Sequence, residues 1–390
     1  MRVLLWVQHL LGTGHLKRAM ALSRAMAERG LAVTLVSGGP PAPWPIPEGI
    51  ELVQLPPVRA NDQTFSQLLD ADDQPIDEAF QAARRDQLLA LFARLAPQVL
   101  ITELFPFGRG AFRFELLPLL AAATARRPRP WCLCSVRDIL VHKPDPRRYE
   151  RMRDLVLEHY DRVLVHGDRR LVPFELTFPL AAALGARVVE TGYVVDPDGP
   201  ARSTGQHEVL VSAGGGRVGA ALLETAPDAR ALTRVAALPW RLVAGGALDP
   251  ARFAALHERL PGGMILERQR SDFQALLANS LLSVSQAGYN TVVEGLRLGK
   301  PMVLVPFETA SETEQRVRAE RLAGLGCAEV VWESDLSPSS LARAIDRALE
   351  TRQERRLQLD LDGAAMSARL IAELAGRAAP VRPAGPEPRA

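Results

Sequence analysis

One pattern constrains this chain more than any other. A short, almost wholly apolar segment runs into a glycine turn and then into a helix, from residue 2 and again from residue 208. Residues 2–8 read as a strand, and Gly12-Thr13-Gly14 turns the chain. Residues 16–30 then read as a helix, with Leu16, Ala19, Met20, Met26 and Ala27 near one face and Gly30 as the stop. Residues 31–37 are the next strand. Strands apolar on both faces must be covered on both, which requires a parallel sheet flanked by helices. Further strands are expected at 99–102, 131–136 and 162–166 in the first half. In the second half they are expected at 208–216, 240–246, 263–267, 281–285 and 301–306.

The alternation breaks at a polar stretch with Pro197, Gly199, Pro200 and Gly205. The expected fold class is therefore α/β, with two Rossmann-like, doubly wound parallel-sheet domains. The first covers 1–196, a linker covers 197–207, and the second domain covers 208–350. A long helix is expected over 351–378, charged and rich in alanine, before a proline-rich, disordered tail at 379–390.

Composition narrows the function. Of 390 residues, 47 are Lys or Arg and 45 are Asp or Glu, so the concentrated basic face of a nucleic-acid binder is not indicated. Three cysteines are too few for a disulfide scaffold and fit a reducing compartment. Cys132 and Cys134 project to one face of a strand and read as buried, since no second Cys or His pair follows at zinc spacing. No apolar run reaches the ~18 residues of a membrane span, and the N-terminus reads as a first strand, which places the chain in the cytoplasm.

Three segments carry chemistry. In Gly12-Thr13-Gly14-His15, a glycine turn opens a helix whose free N–H groups suit an anion or polar ligand. His15, at the mouth of that turn, titrates in the range useful for proton transfer. Lys17 stands where a dinucleotide fingerprint has its third glycine, and Ser37-Gly38 follow the next strand in place of an acidic residue, so NAD is disfavoured. The second segment, Gly214-Gly215-Gly216-Arg217, repeats the turn with a positive charge added. The third covers 285–326, where Ala287, Gly288, Asn290 and Thr291 form a turn before a helix carrying Glu294, and Glu314-Gln315 open the next helix.

Residues 285–326 resemble the donor-site region of MurG-type glycosyltransferases, which add N-acetylglucosamine to make lipid II. In that family a Ser-x-x-Gly-x-x-Thr-x-x-Glu pattern precedes a Pro-Phe strand end and a pair of glutamines. Here Ser285, Gly288, Thr291 and Glu294 fall in step, followed by Pro306-Phe307 and Glu314-Gln315. The N-terminal glycine turn ending in His15 is similar to the family's as well, though shorter in glycine. The resemblance implies the GT-B fold, two domains facing a cleft with a C-terminal helix crossing back to the N-domain. It implies that Glu294 holds the ribose hydroxyls of UDP and that Glu314 and Gln315 contact the donor sugar. Glu314 stands where the family has glutamine, which departs from an N-acetylglucosamine site.

The expected activity is an inverting, metal-independent hexosyl transfer from a nucleoside diphosphate sugar, UDP first, to a hydroxyl acceptor. The nucleotide sugar is a co-substrate and no cofactor or metal is expected. Asp70–Asp72, Asp196–Asp198 and Asp360–Asp362 do not follow apolar strands as a metal-diphosphate motif would. His15 or Glu103 is the base, and Gly12, Gly14, Arg137, Asp138 and His166 line the acceptor side. The acceptor is left open between a lipid-linked and a small molecule, and so is peripheral membrane contact through the aromatic-basic run 104–120. That run is read first as packed in the core, with its arginines outward. A nucleotide-sugar hydrolase or epimerase on the same fold, or a non-catalytic partner subunit, are the alternatives.

Overall fold

The computed structural model describes all residues except 11–12, 43, 62–66, 196–203, 215–218, 246–247, 269, 271, 308–312, 351–358 and 381–390. The chain forms two compact units. One comprises Met1–Val194 with the segment from Asp360 onward, and the other Val195–Leu359.

In the first unit the strands are β1 (Arg2–Val7), β2 (Ala32–Ser37), β3 (Ile50–Gln54), the short antiparallel pair β4 (Arg59–Ala60) and β5 (Leu68–Leu69), then β6 (Val99–Glu103), β7 (Trp131–Arg137), β8 (Arg162–His166) and β9 (Val188–Glu190). Helices α1 (Gly14–Glu28), α2 (Glu78–Leu95), α3 (Arg113–Ala125) and α4 (Arg147–His159) lie between them. Seven strands form one sheet in the order β3-β2-β1-β6-β7-β8-β9, parallel throughout. Strand β1 is buried from Val3 to Val7, so side chains on both of its faces are covered. Cys132 and Cys134 are both fully buried on β7, in one apolar cluster with Leu100 and Trp6.

The second unit holds β10 (Val209–Ser212), β11 (Trp240–Ala244), β12 (Met264–Arg268), β13 (Leu282–Ser285), β14 (Met302–Leu304) and β15 (Glu329–Val330). Its helices are α5 (Ala220–Arg230), α6 (Pro250–Glu258), α7 (Phe273–Asn279), α8 (Tyr289–Arg297), α9 (Glu314–Gly324) and α10 (Pro338–Glu350). The six strands are parallel in the order β12-β11-β10-β13-β14-β15. Each sheet starts with its first strand in the interior and winds outward in both directions. The winding therefore reverses between β1 and β6 in one sheet and between β10 and β13 in the other. Ligands of open α/β sheets bind outside the carboxyl ends of the strands at such a reversal.

The last helix corrects an expectation. A helix over 351–378 does not form at that length: α11 spans Gly363–Ala375, and residues 359–362 are not helical. The backbone of Asp360 is engaged elsewhere, accepting from Tyr193 N at 2.7 Å and donating to Asp168 Oδ2 at 2.9 Å. Helix α11 belongs to the first unit, where Ala368, Ile371 and Leu374 pack in the cluster of Leu16 and Met20 from α1. Residues 351–358 and most of the proline-rich tail lie outside the described residues, as does most of the linker. Among the described residues no helix is long and apolar enough to cross a membrane.

Candidate active site

In the first unit, β1 and β6 end side by side, and each delivers a polar residue. Glu103 is the last residue of β6, and His15 sits in the first turn of α1, just after β1. His15 Nδ1 lies 2.8 Å from Glu103 Oε1. A carboxylate only accepts, so the imidazole carries its proton on Nδ1, a tautomer assigned from this network. Arg18, one turn further along α1, faces the same way and pairs with the same carboxylate oxygen. The His15 side chain is 18% exposed while that of Glu103 is 1% exposed. The carboxylate is thus fully shielded and the ring only in part. No described residue hydrogen-bonds His15 Nε2.

Arg109 joins this group by an unusual route. Its backbone is left-handed, at φ 58°, and its Nε donates to the carbonyl of Gln8 at 2.7 Å. The expectation that the arginines of this stretch point outward is corrected here. Arg113 is exposed, but Arg109 turns inward, and Phe105, Phe107 and Phe112 fill the core. Arg18 and Arg109 therefore stand near the Glu103 carboxylate, and Arg109 and Arg137 near His15. Burial, with Arg109 and Arg137 nearby, lowers the His15 pKa from 6.5 to about 3 even though Glu103 pulls it upward. The ring is neutral at pH 7. Burial pushes Glu103 the other way, but the His15 contact and Arg18 outweigh it and hold the carboxyl well below its usual range. Burial also lowers Arg109 to about 10, which leaves it charged.

Glu103 is thereby corrected as a candidate base: it is buried, ionised and already paired. Two acceptor-side assignments also change. His166 is fully buried, with Nε2 2.7 Å from Ser135 Oγ and Nδ1 2.9 Å from Thr191 Oγ1. Asp138 is fully buried too, accepting from Tyr193 Oη at 2.8 Å and from Ile139 N at 2.9 Å. Both hold strand ends together rather than face a ligand. Gly14 is simply the first residue of α1, and Gly12 lies outside the described residues. Arg137 remains, through its charge on His15.

In the second unit, the turns after β10 and β13 meet at the reversal of the sheet. Gly214 has φ +68° and Gly219, preceding α5, has φ +97°, conformations that side chains other than glycine's rarely allow. Gly215, Gly216 and Arg217 fall outside the described residues. Gln286 ties the two turns: with its amide set to suit its neighbours, it donates to Ala213 O at 2.7 Å and accepts from Gly219 N at 3.2 Å. A Cβ on Gly288 would meet no atom within 4 Å, so protein packing does not demand glycine there. Helix α8 begins just after it, leaving the N–H groups of Tyr289, Asn290 and Thr291 without carbonyls inside the helix.

Glu294, 9% exposed on α8, accepts from Gln274 Nε2 at 2.5 Å. Gln315 Oε1 accepts from Phe307 N at 3.1 Å, fixing the strand end against α9. Glu314 is not a freely presented sugar ligand, because its carboxylate is bonded to the buried Arg318 at 2.9 Å. Gln274, Gln286 and Arg318 were not legible as part of this site. Their only sequence signal is a polar residue at a position a helix or turn would bury.

Known proteins share the fold of this chain and part of its sequence. Residues 269–374 match the model of the glycosyltransferase family 28 C-terminal domain. A relative from Rhodopseudomonas palustris is named a UDP-N-acetylglucosamine--N-acetylmuramyl-(pentapeptide) pyrophosphoryl-undecaprenol N-acetylglucosamine transferase. It is 31% identical over 210 residues, covering 51% of this chain and 54% of the relative. A relative from Brucella anthropi with the same name is 36% identical over 108 residues, 27% of this chain and 29% of its own. The chain thus spans about half the length, or less, of these relatives. Among solved structures, the calicheamicin glycosyltransferase CalG4 aligns over 97% of this chain and 100% of its own, with TM-score 0.62 and 20% identity. Acinetobacter baumannii MurG aligns over 96% of this chain and 100% of its own, with TM-score 0.60 and 18% identity.

The chain has the GT-B fold and resembles the MurG-type glycosyltransferases. In that frame the first unit is the N-terminal GT-B domain, and the stretch matched to family 28 runs from the second unit into α11. Of the Asp-x-Asp strings, Asp70–Asp72 closes a turn, Asp70 Oδ1 accepting from Asp72 N and Gln74 N, and Asp196–Asp198 lies outside the described residues.

Proposed function

We propose that this chain is an inverting glycosyltransferase that moves a sugar from a nucleoside diphosphate donor, UDP first, to a hydroxyl acceptor. The observation that carries the reading is the His15–Glu103 pair at the sheet reversal of the N-terminal unit. Its Nδ1 proton is committed to a buried carboxylate and its Nε2 is left to accept another. As the acceptor hydroxyl attacks the anomeric carbon, its proton passes to Nε2. The imidazolium that forms is stabilised by Glu103. The anomeric centre passes through an oxocarbenium-like state, as in glycoside hydrolysis, and the nucleoside diphosphate leaves.

The donor is assigned to the second unit. Glu294 accepts the ribose hydroxyls, and the turns at Gly214 and at Ala287–Thr291 receive the diphosphate through helix N-termini. Those positive helix ends supply the neutralisation that a metal would otherwise provide. Three guanidinium groups around His15 suit an acceptor that carries negative charge. The pyrophosphoryl lipid in the relatives' names has that chemistry. A cytoplasmic enzyme meeting its acceptor at the membrane surface is consistent with this.

The test is a donor screen on the full chain, scoring nucleoside diphosphate release from UDP-, GDP- and dTDP-sugars, with and without polyprenyl-pyrophosphoryl sugar acceptors. Acceptor-dependent release from a UDP-sugar is the expected result. Release that ignores every acceptor and yields free sugar would make the chain a hydrolase. No release and no nucleotide binding would end the enzymatic reading.

A further inference from the structure

Resting on the donor-site reading above, we infer that Arg318 is a positioning residue, holding the diphosphate turn and the Glu314 carboxylate in one arrangement. It also neutralises the charge that glutamate brings to that place. Arg318 is completely buried in the second unit, where an arginine requires compensation. Its Nη1 donates to the carbonyl of Ala287 at 2.9 Å, and its Nη2 donates to Glu314 Oε1 at 2.9 Å. The guanidinium lies 5.6 Å from the centroid of the Tyr289 ring.

These partners come from two elements. Ala287 and Tyr289 flank Gly288 in the turn from β13 into α8, while Glu314 opens α9, and Arg318 lies one turn along that helix. The i,i+4 spacing stacks the Glu314 and Arg318 side chains on one helix face. The planar fork of the guanidinium then reaches sideways to the turn, a two-direction contact that lysine's point charge does not reproduce.

The charge argument makes this more than packing. Glutamate in place of glutamine sets a negative charge within one guanidinium's reach of the N–H groups at the start of α8. Left uncompensated, it would repel a diphosphate held there. Arg318 cancels that charge. It also pins the Ala287 carbonyl away from the anion, so the N–H groups that follow can point towards it. Glu314 and Arg318 thus form one functional unit, and replacing both should cost less than replacing the arginine alone.

The experiment measures affinity for UDP and for UDP-N-acetylglucosamine by calorimetry on the full chain, with circular dichroism and thermal melts as folding controls. Arg318→Met is expected to weaken UDP binding by about tenfold or more, and Arg318→Lys to weaken it less, since charge is kept but the fork is lost. The pair Glu314→Gln with Arg318→Met should recover affinity over Arg318→Met, because the stranded carboxylate is gone. Two results overturn the inference: folded Arg318→Met binding UDP within about twofold of the wild type, or a folded double variant no better than Arg318→Met. A wild-type chain that binds neither probe instead overturns the donor-site reading, and this inference with it.

Discussion

Glu103→Gln is the sharpest perturbation of the proposed mechanism, because it keeps the shape of the side chain and removes only its charge. In the native chain, Glu103 Oε1 sits 2.8 Å from His15 Nδ1. When His15 takes the acceptor proton, an imidazolium faces that carboxylate, with charge centres roughly 4 Å apart. At an effective dielectric constant of about 20 this attraction is worth about 4 kcal/mol. At about 1.4 kcal/mol per tenfold, the full loss would slow the reaction by about 10³. The glutamine oxygen still accepts from Nδ1–H, so the expected fall in kcat is about 10²–10³. Glu103 and the donor turns belong to different units, so KM for the nucleotide sugar should change little. The assay is steady-state nucleoside diphosphate release, with circular dichroism to show that the variant is folded, since Arg18 loses its partner. His15→Ala should fall at least as far. The double variant should fall no further than His15→Ala alone, because the two residues act as one unit. A folded Glu103→Gln enzyme with kcat within about threefold of the wild type would refute the assignment of the pair.

Four further outcomes are expected. Glu294→Ala should weaken UDP binding by about 1.5–3 kcal/mol, and calorimetry showing unchanged affinity would remove Glu294 from the ribose. Activity should survive EDTA, so complete loss restored by magnesium or manganese would reinstate a metal. Arg84→Met should destabilise the first unit by about 3–5 kcal/mol in urea titrations, because it strands the fully buried Glu115 that Arg84 pairs with; a change below about 1 kcal/mol would contradict this. Burial holds His15 and His166 at about 3 in the folded chain, so below pH 6.5 the unfolded chain binds their protons first. Stability should be full above that pH and fall by about 1.4 kcal/mol per histidine per pH unit down to about pH 3, and urea midpoints equal at pH 7 and pH 5 would contradict it.

The central strands were legible because burial on both faces leaves continuous apolar runs. Arg162–His166 was placed to the residue and Arg2–Val7 nearly so. Met264–Arg268 apart, the edge strands of the two large sheets were not. Ile50–Gln54 alternates and carries Glu51 and Gln54, Val188–Glu190 is three residues long, and Glu329–Val330 is two. Such segments pair because a neighbouring strand offers free backbone groups, not because their own pattern demands it. The overlong C-terminal helix failed for a related reason. Its helix-forming composition continues across Leu359–Asp362, but there the backbone is recruited by Tyr193 and Asp168, far away in sequence.

For the candidate site, sequence position identified which residues stand at strand ends but not which way they face. His15, Glu103, Asp138 and His166 all follow the apolar runs of β1, β6, β7 and β8 and were equivalent on that ground. The fold separates them by distance from the sheet reversal. The winding changes direction between β1 and β6, and there His15 keeps part of its ring exposed while Glu103 is covered. The ends of β7 and β8 lie in a uniformly wound stretch, where Ser135, Thr191 and Tyr193 bond His166 and Asp138. The same logic operates in the second unit, where Gln286 bridges the two turns at the reversal between β10 and β13. Winding direction is a property of strand order, which no local pattern encodes. A polar residue after an apolar strand becomes a candidate for chemistry once the sheet order shows that its strand borders the reversal.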